Sequence, residues 1–259
     1  MTSPFTMHRA QLLRRLLVVG SALSLLLVLS SSSLANRNER PTDPSIPGAL
    51  RAYVPPSDPG VPRDDHTGGG VRGCGDDIAA LAPRLNSVGQ TASTNPTFVW
   101  YNFSDESDPI EFQLYRFEPD GSFDTVAVEQ FETSQQGYMA YTLPFGEAEL
   151  TVGEAYLWQV VIYCDRNFEE PGQYSSAEIE VVALPAELAT ALPDDSLGRA
   201  QTYASNGLWY DALAEVYDAT DATAKALRRD LLLDLADLEE QPDGAEAELI
   251  TELRAIAEK

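Results

Sequence analysis

The patterning of the chain predicts an α+β fold: an antiparallel β-sandwich followed by a small C-terminal helical region. Three observations carry this. Between residues 74 and 185, short apolar runs alternate with a period of two and are separated by Pro, Gly and Asp turn signals. After residue 186 the apolar spacing becomes helical. The two cysteines, Cys74 and Cys164, sit at the start of the β region and at the end of its most apolar run.

That run, Tyr156 to Cys164, reads as the central strand. Tyr156, Trp158, Val160, Ile162 and Cys164 share one face, and Leu157, Gln159, Val161 and Tyr163 share the other. Both faces are largely apolar, so the strand is expected to be buried on one side and at least half covered on the other. Pro96–Tyr101 is rich in aromatic and β-branched residues. Ile110, Phe112 and Leu114 alternate with Glu111 and Gln113. Val126 and Val128, then Met139, Tyr141 and Leu143, mark two more short strands. Ala177, Ile179 and Val181 are expected to point inward, with Glu178 and Glu180 outward. Ile78–Leu81 makes a possible first strand. That is about seven strands in about 110 residues, the spacing of a sandwich. Pro-Thr-Phe-Val-Trp (96–100) and Gly-Glu-Ala-Tyr-Leu-Trp-Gln-Val (153–160) resemble modules of immunoglobulin or fibronectin type III kind.

The helical region spans 186–259. Glu187–Leu192 is a short helix stopped by Pro193. Asp194-Asp195-Ser196 supplies an N-terminal cap for a helix through Ala204, and Asn206-Gly207 ends it. Leu208–Ala219 is expected to be the next helix. After Thr220-Asp221, the residues Leu227, Leu231, Leu235 and Leu238 form an apolar stripe. Arg228 and Arg229 lie among acids and are expected to be surface ion-pair partners. A final helix carries Leu249, Ile250, Leu253 and Ile256.

The N-terminus carries an address and a spacer. Residues 1–35 read as a secretory signal. They combine a basic start (Arg9, Arg14, Arg15), an apolar run Leu16–Leu29, and a small-x-small site at Ser33-Leu34-Ala35. The mature chain is expected to begin at Asn36, in the periplasm or outside the cell, with an uncleaved membrane anchor as the alternative. Membrane contact is expected only through this segment. Residues 36–73 are rich in Pro and Gly and show no apolar period, so a disordered linker is expected there. In an exported protein Cys74 and Cys164 are expected to form a disulfide. A loop of 90 residues would stabilise by about 4–5 kcal/mol in the chain-entropy model.

Charge and residue scarcity restrict function. The chain holds 41 acidic and 17 basic residues, a net charge of −24, which repels a phosphate backbone and argues against nucleic acid. Beyond the signal there is one histidine, His66, and lysine occurs only at Lys225 and Lys259. A Ser-His-Asp triad, a multi-histidine zinc site or a Schiff-base lysine has almost no candidates. The expectation is no enzyme, no cofactor and no metal. An acid pair for glycoside chemistry would be drawn from Asp165, Glu169 and Glu170, beside the end of the central strand. Asp165-Arg166-Asn167-Phe168-Glu169 imitates half of a calcium loop, but Glu170 stands where that loop needs glycine, and Ser176 where it needs glutamate.

Two resemblances complete the reading. Ala200, Tyr203, Gly207, Trp209, Ala212 and Ala219 hold the small/aromatic pattern of one tetratricopeptide repeat, a hairpin over 196–219. This makes Tyr203, Trp209 and Tyr210 a candidate interaction surface for an unknown protein partner. Across about 51–240 the chain resembles the cyanobacterial family called domain of unknown function 928. Tyr53-Val54-Pro55-Pro56 followed by Gly68–Cys74, Asn95–Tyr101, Gly153–Trp158 leading to Cys164-Asp165, and above all Tyr203–Leu213 carry that resemblance. After Ala219 it departs, with Leu231-Leu232-Leu233-Asp234-Leu235 in place of a tryptophan-bearing helix. The resemblance implies an exported protein with no assigned activity and no catalytic residues to carry over. The function expected is a non-catalytic protein-binding or scaffold module of the cell envelope. The alternative is a carbohydrate-binding or glycoside-processing protein.

Overall fold

The computed structural model describes residues 51–63, 69–70, 77–146, 148–240 and 247–259. Residues 1–35, His66 and Cys74 lie outside the described residues. The fold is α+β, with two mostly antiparallel sheets and C-terminal helices.

The larger sheet runs β1 (Gly69–Gly70), β9 (Pro171–Val181), β8 (Ala155–Tyr163), β5 (Ile110–Phe117), β6 (Phe123–Phe131). A short β3 (Gly89–Thr91) pairs with β9 in parallel. The smaller sheet is β2 (Ile78–Ala80), β4 (Thr97–Asn102), β7 (Gly137–Thr142). The seven expected strands are all present. The two not anticipated, β1 and β3, are two and three residues long and carry no alternation to read.

Period-two alternation decides the core. Tyr156, Trp158, Val160 and Ile162 of β8 and Ile110, Phe112 and Leu114 of β5 are buried against Phe98 and Trp100 of β4. The rings meet at tilted, offset angles: Phe98–Phe112 at 4.9 Å and Phe98–Trp158 at 5.3 Å. Such pairs add to the area each ring removes from water. The strand ends at Tyr163, so Cys164 leaves the inward row and is exposed rather than buried.

Helices α1 (Ala186–Ala191), α2 (Ser196–Ser205), α3 (Trp209–Ala214), α4 (Ala222–Glu239) and α5 (Ala247–Ala257) follow. Asp195 caps α2 by accepting from the Gly198 N–H, and Asp221 caps α4 by accepting from Thr223 and Ala224. Gly207 ends α2 at φ +79°, a conformation costly for any residue with a Cβ. The expected helix over 208–219 is cut short at Ala214. Val216 and Ala219 make i−3 bonds there, tightening the chain into turns.

Two expectations are corrected by packing. Arg228 is not a surface ion-pair partner. It lies on the buried face of α4 with Leu231, Leu235 and Glu239, donates to the Tyr217 carbonyl at 2.6 Å, and sits 4.0 Å from the Tyr138 ring centroid. Arg229, one residue round the helix, does pair with Asp230 at the surface.

Residues 51–63 are not a free linker. They form a strap packed on the domain. The Tyr53 ring is buried against Trp209 at 5.0 Å, and its backbone N–H donates to Asp234 of α4 at 2.8 Å. The Val54 N–H donates to the Ala204 carbonyl, the Val88 N–H to the Pro59 carbonyl, and the Arg63 N–H to Glu178 of β9. Prolines that make such a stretch look unstructured also limit its unfolded freedom, which lowers the entropy cost of docking it. The strap explains why Glu178, on the outward face of β9, is buried.

Candidate functional site

The predicted interaction surface is taken up by packing. Trp209 and Tyr210 are fully buried, and only Tyr203 keeps partial exposure. Tyr210 is wedged between helix and sheet. Its hydroxyl accepts from Trp158 Nε1 at 2.7 Å and donates to the Glu178 carbonyl at 2.9 Å. A Cβ on Gly89 would lie 2.7 Å from the Tyr210 ring, so that position of β3 has no room for a side chain. Trp209 Nε1 donates to the Leu81 carbonyl at 2.8 Å. These rings fasten helices to sheet.

The acidic loop after β8 is closed by Asp165 itself. Asp165 uses both carboxylate oxygens to accept from the Glu169 N–H at 3.0 and 3.1 Å, closing a turn in which Phe168 takes φ +58°. Glu169 and Glu170 are exposed. No group of three or more metal-ligating side chains converges among the described residues.

Asp211 lines a depression of about 210 Å³ with Tyr203 and Glu215. Its carboxylate accepts from the Ala92 N–H at 2.9 Å, tying α3 to the end of β3. Burial pushes its pKa up to about 6, against the Ala92 and Thr91 hydrogen bonds that pull it down. The folded state therefore holds this proton more tightly than the unfolded chain, whose carboxyl titrates near 3.8. The stability from this group is fully present below about pH 3.8 and is lost as pH rises through about 6, on the order of 3 kcal/mol. Asp211→Asn keeps an acceptor oxygen and removes the charge. Denaturant titrations should find the variant gaining on the parent protein between pH 4.5 and 7.5. A difference independent of pH would refute the titration.

The outward face of the larger sheet is partly covered: Glu111, Leu157 and Val161 are buried, Gln113, Gln159 and Tyr163 keep partial exposure, and Tyr174 is exposed. Period-two geometry puts Glu111, Gln113 and Tyr115 of β5 beside Leu157, Gln159, Val161 and Tyr163 of β8, with Tyr174 of β9 in the row of Glu111 and Val161. The polar groups are wired to one another. Tyr115 donates to Gln113 Oε1 at 2.5 Å, and Gln159 donates to the same oxygen. Glu111 accepts from Gln113, from Gln130 at 2.6 Å and from the Tyr163 hydroxyl at 3.3 Å. Burial, then Glu111, raises the Tyr163 pKa, so the phenol stays neutral at any physiological pH. Gln113, Gln159, Tyr163 and Tyr174 line a shallow depression of about 240 Å³. The aromatic surface continues at Phe117 and Phe123, 5.5 Å apart, with Arg63 of the strap 4.7 Å above Phe117. The main contacts of α3 and α5 with strands fall on β2, β3 and β4. The sequence placed Glu111, Gln113, Gln159 and Tyr163 on outward positions. Their joining across strands required the register.

A family model described as Domain of Unknown Function (DUF928) matches residues 67–242. No curated protein matches the chain. Among solved structures, Astrotactin-2, described as a conserved vertebrate-specific and perforin-like membrane protein involved in neuronal development, matches with a TM-score of 0.30 and 12% identity, over 68% of this chain and 36% of that one. A Bacteroides uniformis beta-glucuronidase 2 covalently bound to cyclophellitol-6-carboxylate aziridine matches with a TM-score of 0.22 and 10% identity, over 66% and 32%. The chain spans about a third of the length of those structures, and at such scores neither carries an argument.

Proposed function

The chain belongs to the Domain of Unknown Function (DUF928) family, and from that premise we propose that it is a non-catalytic binding module acting outside the cytoplasm. Its ligand is a neutral carbohydrate chain bound on the outward face of the larger sheet. The observation that carries this reading is the wired array of Gln113, Gln159, Tyr163 and Glu111 beside the exposed Tyr174 ring. Amides and phenols held by one another are preorganised donors and acceptors, and a hydroxyl-rich ligand needs both. Tyr174 offers a flat apolar face for a sugar ring. The acidity of the body favours a neutral ligand over an anionic polymer. The protein-binding or scaffold module expected from the sequence loses two of its three proposed contact rings to the core, because Trp209 and Tyr210 are buried.

Tyr163→Ala and Gln159→Ala should each weaken retention on the retained member of a panel of cellulose, xylan, mannan and peptidoglycan by tenfold or more, with unfolding midpoints little changed. A panel that retains nothing, or variants retained like the parent protein, would end this reading.

Export rests on the signal-like residues 1–35 and on a proposed Cys74–Cys164 bridge. Strand pairing supports the bridge. β1 runs antiparallel to β9, with Gly69 opposite Tyr174 and Gly70 opposite Gln173, so Gly70 is the residue of β1 nearer the start of β9. Cys164 is held at that start, its N–H donating to the Glu170 carbonyl at 2.8 Å. From β1 to β8 is two strand spacings, about 10 Å. Four residues reach up to about 14 Å. No free cysteine occurs among the described residues. Two packed sheets likewise support an immunoglobulin- or fibronectin III-like sandwich, from which the parallel β3–β9 pair departs.

A further inference from the structure

The chain has only two lysines, Lys225 and Lys259, and both line one pocket together with Arg228. Chance placement across a surface this acidic would scatter them. The pocket holds about 370 Å³, large enough for a molecule the size of one sugar ring. Its walls are the rings of Tyr101, Tyr138 and Tyr217, and the three cationic side chains face one acidic side chain, Asp218. Lys225 and Arg228 are three residues apart on α4 and so project from the same face.

Arg228 is the second observation. It is 94% removed from solvent, at 6% exposure, yet neither it nor the two lysines forms an ion pair among the described residues. One guanidinium nitrogen donates to the Tyr217 carbonyl and the plane rests on the Tyr138 ring. A buried guanidinium ordinarily has a carboxylate against it, because removing the charge from water is costly. The Tyr138 ring and one carbonyl offset part of that cost and leave the formal charge uncompensated. Tyr138 is itself fixed, its hydroxyl donating to the Ile256 carbonyl at 3.0 Å. The cation is therefore held in place at the wall of a pocket rather than neutralised.

We propose that this pocket binds a small molecule bearing an oxyanion, with the anion on Arg228, Lys225 and Lys259 and the body of the ligand against the tyrosine rings. Arginine's fork suits a carboxylate, sulfate or phosphate group. The acidic surface elsewhere does not forbid this. At physiological salt its field is screened over about 8 Å, while three cations inside one pocket act at contact distance. The site is separate from the outward sheet face: it is built from β4, β7, α4 and the chain after α5, and shares no residue with it.

The test titrates the full chain with sodium sulfate, sodium phosphate and sodium succinate, with succinamide as the neutral control, followed by tyrosine fluorescence and by calorimetry at low ionic strength. The expected result is saturable binding of at least one of the three anions and none of succinamide. Lys225→Glu combined with Lys259→Glu should weaken that binding tenfold or more. Both positions are exposed, so the unfolding midpoint should stay within a few degrees. Gln159→Ala should leave the titration unchanged, which separates this site from the carbohydrate face. Absence of saturation with all three anions, or equal binding by the double variant, would overturn the proposal.

Discussion

Trp209→Ala should lower the unfolding free energy by about 3–5 kcal/mol, the largest loss expected from any single substitution in the helical half. Three contributions act together. The indole is fully buried, so its removal leaves a cavity that neighbouring β2 and α2 cannot close without moving. The Leu81 carbonyl loses its donor at 2.8 Å and is left unpaired in the interior. Tyr53 loses the edge-to-face partner that seats the strap. At about 2–4 °C per kcal/mol for a domain of this size, the melting temperature should fall by about 6–20 °C. Trp209→Phe keeps most of the ring and loses the Nε1–H donor, so a smaller loss of about 1–2 kcal/mol is expected. Denaturant unfolding of the two variants separates the cavity from the hydrogen bond. A loss below 1 kcal/mol for the alanine variant would mean that Trp209 does not fasten strap and helices.

Breaking the proposed Cys74–Cys164 bridge should cost a similar amount, about 4–5 kcal/mol, through a different state of the chain. The bridge closes a loop of 90 residues, and its effect is exerted chiefly on the unfolded ensemble. Cys74→Ser, Cys164→Ser and the double variant should therefore be equally destabilised, because each removes the same bond. A reducing agent should lower the midpoint of the parent protein and leave all three variants unmoved. Labelling of both thiols in native, unreduced protein, or additive losses in the double variant, would refute the pairing.

The register of the reading was set by alternation, and alternation was faithful where side chains meet other side chains of the same sheet. Tyr156, Trp158, Val160 and Ile162 are inward, as their spacing required, and Gln159 and Tyr163 are outward. The α4 stripe was legible for the same reason, although Leu227 and Leu238 turned out half-buried while Arg228 and Glu239 took the buried face. Hydrophobicity alone cannot rank a guanidinium above a leucine. Only the presence of the Tyr138 ring and the Tyr217 carbonyl at that point makes burial of Arg228 tolerable. The carboxylate of Glu239 is tolerated likewise, because it accepts from the Arg84 and Leu85 N–H groups.

Aromatic residues of the Tyr203–Leu213 run were distinctive enough to mark a place in the chain and too ambiguous to say which way it faced. A tyrosine or tryptophan serves equally as an exposed contact or as a core residue with a satisfied polar tip. Trp209 and Tyr210 are the second kind because the Leu81 carbonyl, the Glu178 carbonyl and Trp158 Nε1, from more than thirty residues away, come within hydrogen-bond distance. The 51–63 strap was misread for a related reason. Its order derives from Ala204, Gly207, Asp234 and Glu178, none of which is near it in sequence.

Local patterning was thus sufficient for the α+β class, the seven main strands and the helix cap at Asp195. These depend on neighbours within a turn or a strand, and the order of residues states them directly. The wired amide and phenol face and the gathering of Lys225, Lys259 and Arg228 were decided by tertiary structure. Each depends on which segments lie side by side, and side-chain chemistry read along one strand or helix says nothing about the element packed across from it.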